Sequence, residues 1–267
     1  MKPLLALSKV VTPQQVPLPT LASIKSDGIR GCAVNDQIWS RNEKLIPNRF
    51  VQSELKGLHG SEGELLLRDR SKDFNDQQSA FMSRGGQPDF DLLVFDYWDS
   101  NLSFFKRLDL VVQEAHNKHP RLVVVPQRMI HTVEALIQFY NEAIAKGHEG
   151  LICRCPNGKY KHGRSTLNQA LSLKLKPAKH DEAIITGIEP LVDQAGVVYE
   201  MLGKFNVMLK NGERFNIGTG EGLTHARRRE FWQKQEELKG KAVSFQYYEL
   251  SKYGVPRSPS WRGIRYE

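Results

Sequence analysis

Two short stretches carry residue types and spacings that could do chemistry on an anion. The first, Lys25-Ser26-Asp27-Gly28-Ile29-Arg30, sets a lysine, an acid, a glycine and an arginine around one tight turn. Alone, K-x-D-G-x-R is moderately specific and fits an ordinary surface hairpin as well. The second runs from Leu171 to Lys176 and alternates strictly. Leu171, Leu173 and Leu175 share one strand face, and Ser172, Lys174 and Lys176 share the other. Two lysines on one face either guard an edge strand against pairing or hold something anionic lying across them. A lysine amine, with its usual pKa near ~10.4, is mostly protonated at neutral pH. Neighbouring cations and partial desolvation lower that value and turn the amine into a nucleophile.

The charge distribution points the same way. Of the net +8 over 267 residues, residues 1–180 carry 25 Lys and Arg against 18 Asp and Glu, while residues 181–267 carry 13 against 12. Leu151 to His180 holds seven basic residues and no acidic one. A solvated basic face is one reading. A phosphate-rich partner is the other, because a single-sign field opposes folding unless an anion offsets it.

The elements that must position these residues are legible in outline. Strands are expected at 21–25 and 31–40 around the turn Ser26-Asp27-Gly28, at Glu64–Arg68, Asp91–Trp98, Arg121–Pro126, Gly150–Cys155 and Leu171–Lys176. Helices are expected at Pro47–Leu58, with Pro in the first turn, at Ser103–Lys118, and from a Thr132 cap to near Gly147. The polar stretch Asp69–Asp89 reads as a long surface excursion. Pro177-Ala178-Lys179-His180 reads as an interdomain link. Beyond it come short β runs with an Asn211-Gly212 hairpin signal and one helix from Thr224 to Leu238, a pattern suited to a small Greek-key barrel of the OB type.

No run of ~18 apolar residues is present to span a membrane. The start imitates a signal peptide for four residues before Lys9 interrupts it. A cytoplasmic chain is therefore expected, and a periplasmic one only if a leader was removed. Three cysteines cannot build a disulfide framework. Cys153-Arg154-Cys155 has the wrong spacing for zinc. Arg227-Arg228-Arg229 reads as a solvated helix face rather than a DNA clamp.

Six ordered motifs change the odds for Lys25. After Lys25–Arg30 come Ser40-Arg41, Glu62-Gly63-Glu64-Leu65, Asp91-Leu92-Leu93-Val94-Phe95-Asp96, Glu149-Gly150-Leu151-Ile152 and Leu173-Lys174-Leu175-Lys176-Pro177. The series resembles the covalent nucleotidyltransferase superfamily across the whole chain. Within it, Tyr160–Thr166, Phe215–Gly220 and Arg257–Arg265 look most like the minimal ATP-dependent DNA ligases of viruses, phages and some bacteria. The resemblance implies an α+β protein of two domains. Residues 1–179 would be a nucleotidyltransferase domain of ATP-grasp-like antiparallel sheets with helices, and residues 180–267 an OB-fold β-barrel. It implies ATP as cofactor with Mg²⁺, for which Mn²⁺ can substitute, nicked duplex DNA as partner, no membrane, and a monomer.

It also implies roles. Lys25 carries the adenylyl group, with Asp27 and Arg30 organising nucleotide and nick ends. The backbone of Ile24 reads the adenine edge, Glu64 takes the ribose hydroxyls, and Phe95 stacks on the base. Glu149 binds the metal. Lys174 and Lys176 grip the α-phosphate. Arg41 meets the nick 5′-phosphate, and Lys159, Lys161 and Arg164 form a DNA-binding loop. In the terminal motif, Arg257, Arg262 and Arg265 would orient pyrophosphate. Among the departures, Pro190–Lys204 is too short for the long hairpin insertion with which many members clasp the duplex. An RNA ligase, a capping guanylyltransferase, or a non-catalytic nucleic-acid-binding OB protein are the rival readings.

Overall fold

A computed structural model describes residues 2–251 and 253–265, with no side-chain description for 114–118. The chain divides into two compact units, residues 1–176 and 177–267. The division falls where the expected 177–180 link begins, three residues before the expected domain end at 179. The reason is local: Lys179 already belongs to a strand of the second unit and pairs with Tyr247.

The first unit contains, in order, β1 (Leu4–Leu5), β2 (Thr20–Ile24), β3 (Ile29–Val34), β4 (Gln37–Trp39), α1 (Arg49–Glu54), β5 (Ser61–Leu67), α2 (Phe74–Met82) and β6 (Phe90–Tyr97). It continues with α3 (Phe104–Lys118), β7 (Leu122–Val124), β8 (Arg128–Ile130), α4 (Val133–Ala145), β9 (Leu151–Arg154), β10 (Gly163–Arg164) and β11 (Leu173–Leu175). Two sheets dominate: a five-stranded one in the order β4-β3-β5-β6-β7, and a four-stranded one in the order β11-β9-β2-β8.

Each sheet spends one face on a core and frees the other. In the five-stranded sheet Ile29, Ala33, Leu65, Phe90, Leu92 and Val94 pack with Val51 of α1, Leu55 at its C-cap, Phe81 of α2 and Val111 of α3. Alternation then turns Arg30, Glu62 and Glu64 to the opposite face. In the four-stranded sheet Ala22, Leu151, Cys153, Leu173 and Leu175 pack with Leu136 and Ala143 of α4. That leaves Ser23, Ile152 and Lys174, which lie in one hydrogen-bonded row, on the free face.

The stretch expected as a surface excursion holds α2. Asp73 caps it, accepting from the Asp76 N–H while Asp76 accepts from the Asp73 N–H. Phe81 and Gln77 are fully buried, and Gln77 accepts from the Leu67 N–H. Too few apolar residues line this helix to give it a visible period. The single strand expected at 31–40 is a hairpin instead, turned by Asn35 and Asp36, both in the left-handed region.

The second unit contains β12 (Lys179–Val192), β13 (Val198–Met208), β14 (Arg214–Ile217), β15 (Thr219–Gly220), α5 (His225–Gln233), α6 (Gln235–Leu238), β16 (Ala242–Tyr247), β17 (Glu249–Leu250), β18 (Pro256–Arg257) and β19 (Ser260–Ile264). Six strands form one sheet in the order β14-β13-β12-β16-β19-β15. Its hydrogen-bonded ladder runs from edge to edge among the described residues rather than closing on itself. Leu202, Phe205, Ile217, Val243, Phe245 and Trp261 pack under Phe231 and Leu238. The one helix expected at 224–238 breaks at Lys234 into α5 and α6.

Candidate active site

Lys25 leaves the end of β2, and its backbone N–H donates to the Gly150 carbonyl at 2.9 Å. That bond continues the β2–β9 ladder by one rung, so Lys25, Gly150 and Lys176 extend the row spacing of Ser23, Ile152 and Lys174. Gly150 is required where it sits. Its φ is +148°, and a Cβ there would come within 1.9 Å of the Leu175 carbonyl oxygen. The preceding residue, Glu149, takes the Lys25 ammonium on Oε2 and the Lys176 ammonium on Oε1. One partly buried carboxylate therefore stands between two lysines that follow the ends of β2 and β11.

The five-stranded sheet supplies the second half of the site. Arg30 on β3 lies directly across from Glu64 on β5, and Cys32 across from Glu62. The Arg30 guanidinium is divided between them: Nη1 donates to Glu62 Oε1, and Nε donates to Glu64 Oε1 at 3.2 Å. Burial pulls the guanidinium down, but Glu62 and Glu64 together outweigh it and hold it above its ordinary value. Burial lifts the Glu64 carboxyl above the usual range. Arg30 opposes the rise, but it is shared with Glu62.

Phe95 reaches this face through a β-bulge. Glu62 pairs with Asp96 and Gly63 with Val94, so Phe95 is the extra residue between them. Phe90, Leu92 and Val94 point into the core, and Tyr97 packs against that same core. The alternation thus slips one residue, and Phe95 and Asp96 both face the site. The Arg30 and Arg154 guanidinium carbons lie 4.7 and 4.9 Å from the Phe95 ring centre. Gly63 lets the bulge form: a Cβ there would lie 2.5 Å from the Leu93 carbonyl oxygen.

Below Phe95 lies a charge network that sequence reasoning did not assign. Asp96 is fully buried and receives Arg107 Nε at 2.7 Å, Arg107 Nη2 at 3.2 Å, and Arg154 Nη1. Arg107 also donates to the carbonyls of Leu102 and Gly158. Glu62, likewise fully buried, takes the Tyr160 hydroxyl on Oε2 at 2.7 Å. The available signal was the placement of an acid and an arginine inside runs that otherwise read as buried strands, Val94-Phe95-Asp96 and Ile152-Cys153-Arg154.

The remaining candidates lie elsewhere in the unit. The Ile24 side chain packs toward the α4 core, leaving only its backbone for the free face. Asp27 sits in the loop between β2 and β3. Arg41 is exposed just past β4. Lys159 is exposed, Lys161 donates to Gln169 Oε1 at 2.7 Å, and Arg164 donates to the Ala6 carbonyl at 2.9 Å. Among the described residues no three His, Cys, Asp or Glu groups gather to hold a metal. Burial pushes the Cys153 thiol up to about 12, as suits a strand cysteine without reactivity.

Comparison with known proteins gives the family. Residues 12–176 match the family model described as ATP dependent DNA ligase domain, and residues 195–265 match one described as DNA ligase OB-like domain. The chain belongs to the ATP-dependent DNA ligase family. It has an α+β nucleotidyltransferase domain followed by an OB-like domain. The DNA ligase of Enterobacteria phage T3 is 28% identical over 145 residues, which is 51% of this chain and 38% of that protein. A probable DNA ligase of Aquifex aeolicus is 30% identical over 77 residues, 28% of this chain and 13% of that protein. The chain thus matches well under two thirds of the length of these curated relatives. Among solved structures, the Chlorella virus DNA ligase-adenylate is 33% identical with a TM-score of 0.59, covering 100% of this chain and 99% of that one. A Lig E DNA ligase, at 22% identity, shares the fold with a TM-score of 0.72, covering 97% of this chain and 99% of the other. No described helix is long and apolar enough to cross a membrane.

Proposed function

We propose that the chain is a monomeric ATP-dependent DNA ligase that seals 3′-hydroxyl/5′-phosphate nicks in duplex DNA. The observation that carries this reading is the convergence of Lys25, Glu149 and Lys176 on one sheet face, in a unit whose other sheet presents Arg30, Glu64 and Phe95. Residues 1–179 would carry adenylyl transfer, and residues 180–267 the OB function.

The chemistry runs in three displacements. Lys25 Nζ, once deprotonated, bonds to the α-phosphorus of ATP as the bond to the bridging oxygen breaks and pyrophosphate leaves. A 5′-phosphate oxygen at the nick then takes the adenylyl group, breaking the P–N bond. The 3′-hydroxyl oxygen, losing its proton, attacks the 5′-phosphorus, and AMP departs with the electrons of the broken P–O bond. Lys174 and Lys176 supply positive charge where the α-phosphate oxygens gain negative charge. Glu64 accepts from the ribose hydroxyls, the Ile24 backbone reads the adenine edge, and Phe95 stacks on the base. Asp27 and Arg30 hold nucleotide and nick ends. Arg41 receives the 5′-phosphate, with Lys159, Lys161 and Arg164 along the backbone.

Glu149 is a fitting ligand for Mg²⁺, or Mn²⁺ in its place. The two Glu149 oxygens, held here by Lys25 and Lys176, would exchange a lysine for an ion that keeps its waters and draws other ligands from substrate phosphates. Such an ion, when bound, neutralises charge on the phosphates.

Incubation with labelled ATP and Mg²⁺ tests the reading. A covalent label on wild type that disappears in Lys25→Ala, together with sealing of nicked DNA by wild type only, is the expected result. An unlabelled wild type, or a label that survives Lys25→Ala, rules it out.

A further inference from the structure

The loop from Cys155 to Thr166 carries Lys159, Lys161 and Arg164, and it is laced down on two sides. The N-terminal strand β1 pairs with β10, Leu4 opposite Gly163 and Leu5 opposite Arg164. The Gly163 N–H donates to the Pro3 carbonyl at 3.2 Å, and the Ser165 N–H to the Leu5 carbonyl at 2.8 Å. On the other flank, the Phe104 N–H and Arg107 Nη1 both donate to the Gly158 carbonyl.

From the middle of this loop Tyr160 reaches into the nucleotide-binding sheet. Its hydroxyl accepts from the Leu4 N–H at 2.8 Å and donates to Glu62 Oε2 at 2.7 Å. The Arg107 guanidinium lies over its ring, 5.5 Å from the centre. Glu62 has two oxygens and divides them, Oε2 to Tyr160 and Oε1 to Arg30. A fully buried carboxylate oxygen that loses its donor must find another or remain unsatisfied. The nearest guanidinium already bound to Glu62 is that of Arg30, and closing both oxygens onto it would draw Arg30 away from Glu64 and off the Phe95 ring. Burial, with the Glu62 carboxylate beside it, pushes the Tyr160 phenol well above its ordinary value, so the hydroxyl remains a donor throughout the working range.

We propose that Tyr160 is a positioning residue for nick sealing: its hydroxyl keeps Arg30 divided between Glu62 and Glu64 and ties that pose to the basic loop. The inference rests on the ligase reading above. It assigns Tyr160 a role that acts on Arg30 through Glu62.

The test compares Tyr160→Phe, Arg30→Gln and the double variant in single-turnover sealing of nicked duplex DNA, with thermal melting alongside. Tyr160→Phe keeps the ring and removes the hydroxyl. The expected result is a loss of sealing of about tenfold at little change in melting temperature, and a double variant no slower than Arg30→Gln alone. A tyrosine that only folds the loop would instead multiply its loss onto that of Arg30→Gln, and that outcome overturns the proposal. Sealing by Tyr160→Phe within about twofold of wild type overturns it too. Should Tyr160→Phe melt many degrees lower, Glu62→Gln makes the same comparison, since it preserves volume and an acceptor for Tyr160; additive loss with Arg30→Gln again overturns the proposal. The wild type in the same experiment separates the two levels. A wild type that takes no adenylyl group on Lys25 removes the ligase reading, and this inference with it. A labelled, sealing wild type beside a normal Tyr160→Phe removes only the role of Tyr160.

Discussion

Arginines are used in opposite ways in the two units. In the first, Arg107 and Arg154 converge on Asp96, and all three are almost wholly removed from solvent. In the second, the terminal-motif arginines each meet one carboxylate at the surface: Arg257 meets Glu249 at 3.6 Å, Arg262, which also donates to Gln246 Oε1, meets Glu221 at 3.2 Å, and Arg265 meets Glu182 at 2.8 Å. A buried multi-point pose is costly to leave, because each partner removed strands a charge in low dielectric. An exposed single pair exchanges its partner for another anion at almost no cost. On the function proposed above, the first arrangement would hold a ring and a nucleotide in place, and the second would leave groups free to meet a phosphate that comes and goes.

The largest effect that can break this comparison is at Asp96. Asp96→Ala leaves two buried guanidiniums without a carboxylate and should destabilise the first unit by ~3–5 kcal/mol in denaturant melts. A loss below ~1 kcal/mol would mean the network is not desolvated in solution as it is in the structure. Gly63→Ala comes next. The added methyl meets the Leu93 carbonyl and should flatten the bulge that presents Phe95, at ~1–3 kcal/mol. If the proposed stacking role holds, KM for ATP in lysine adenylylation should rise with it, while a Phe95→Leu variant raises KM without the stability loss. Equal KM for both variants and wild type would separate Phe95 from the nucleotide.

These positions also mark where the sequence was readable. Alternation exposed β11, because it spends one face on a core, and that same alternation put Lys174 and Lys176 together. The Thr132 cap and the apolar period made α4 visible. The bulge at Phe95 was not visible, because a one-residue slip in the ladder leaves the letters of the strand unchanged. The Asp96–Arg107–Arg154 network was not visible either, since its members come from a strand, a helix and a second sheet. In α2 the capping box was present in Asp73 and Asp76, yet the polar surroundings hid it. In the second unit the expected link at 177–180 was half strand, because Lys179 and His180 pair across to Tyr247 and Gln246; proline punctuates a chain without stating which side continues.

One arginine of the second unit departs from its surface pattern and sharpens the comparison at an intermediate scale. Arg228, inside the run read as a solvated face, donates to the carbonyls of Leu202, Gly203, Gly218 and Leu223. It clips α5 to β13 and to the turn before β15. Partial burial lowers its pKa below the usual value. Arg228→Ala should therefore cost ~1–2 kcal/mol in stability, while Arg227→Ala and Arg229→Ala at the neighbouring positions stay within ~0.5 kcal/mol. Equal effects at all three would return the run to a simple solvated face.

The smallest stability effect is expected at Arg265, and there the two uses of arginine part most cleanly. Its side chain and that of Glu182 are both well exposed, so Arg265→Ala should shift unfolding by no more than ~0.5 kcal/mol. Glu182→Ala should do the same. If Arg265 meets pyrophosphate, the two variants diverge in function: Arg265→Ala slows lysine adenylylation, and Glu182→Ala, which frees the guanidinium, leaves it unchanged or faster. Raised salt should narrow the gap, because an exposed cation acting on a polyanion is screened. Parallel slowing in both variants would show that the pair itself matters, and that the surface arginines of the second unit are built into its structure as firmly as those beneath Phe95 are into the first.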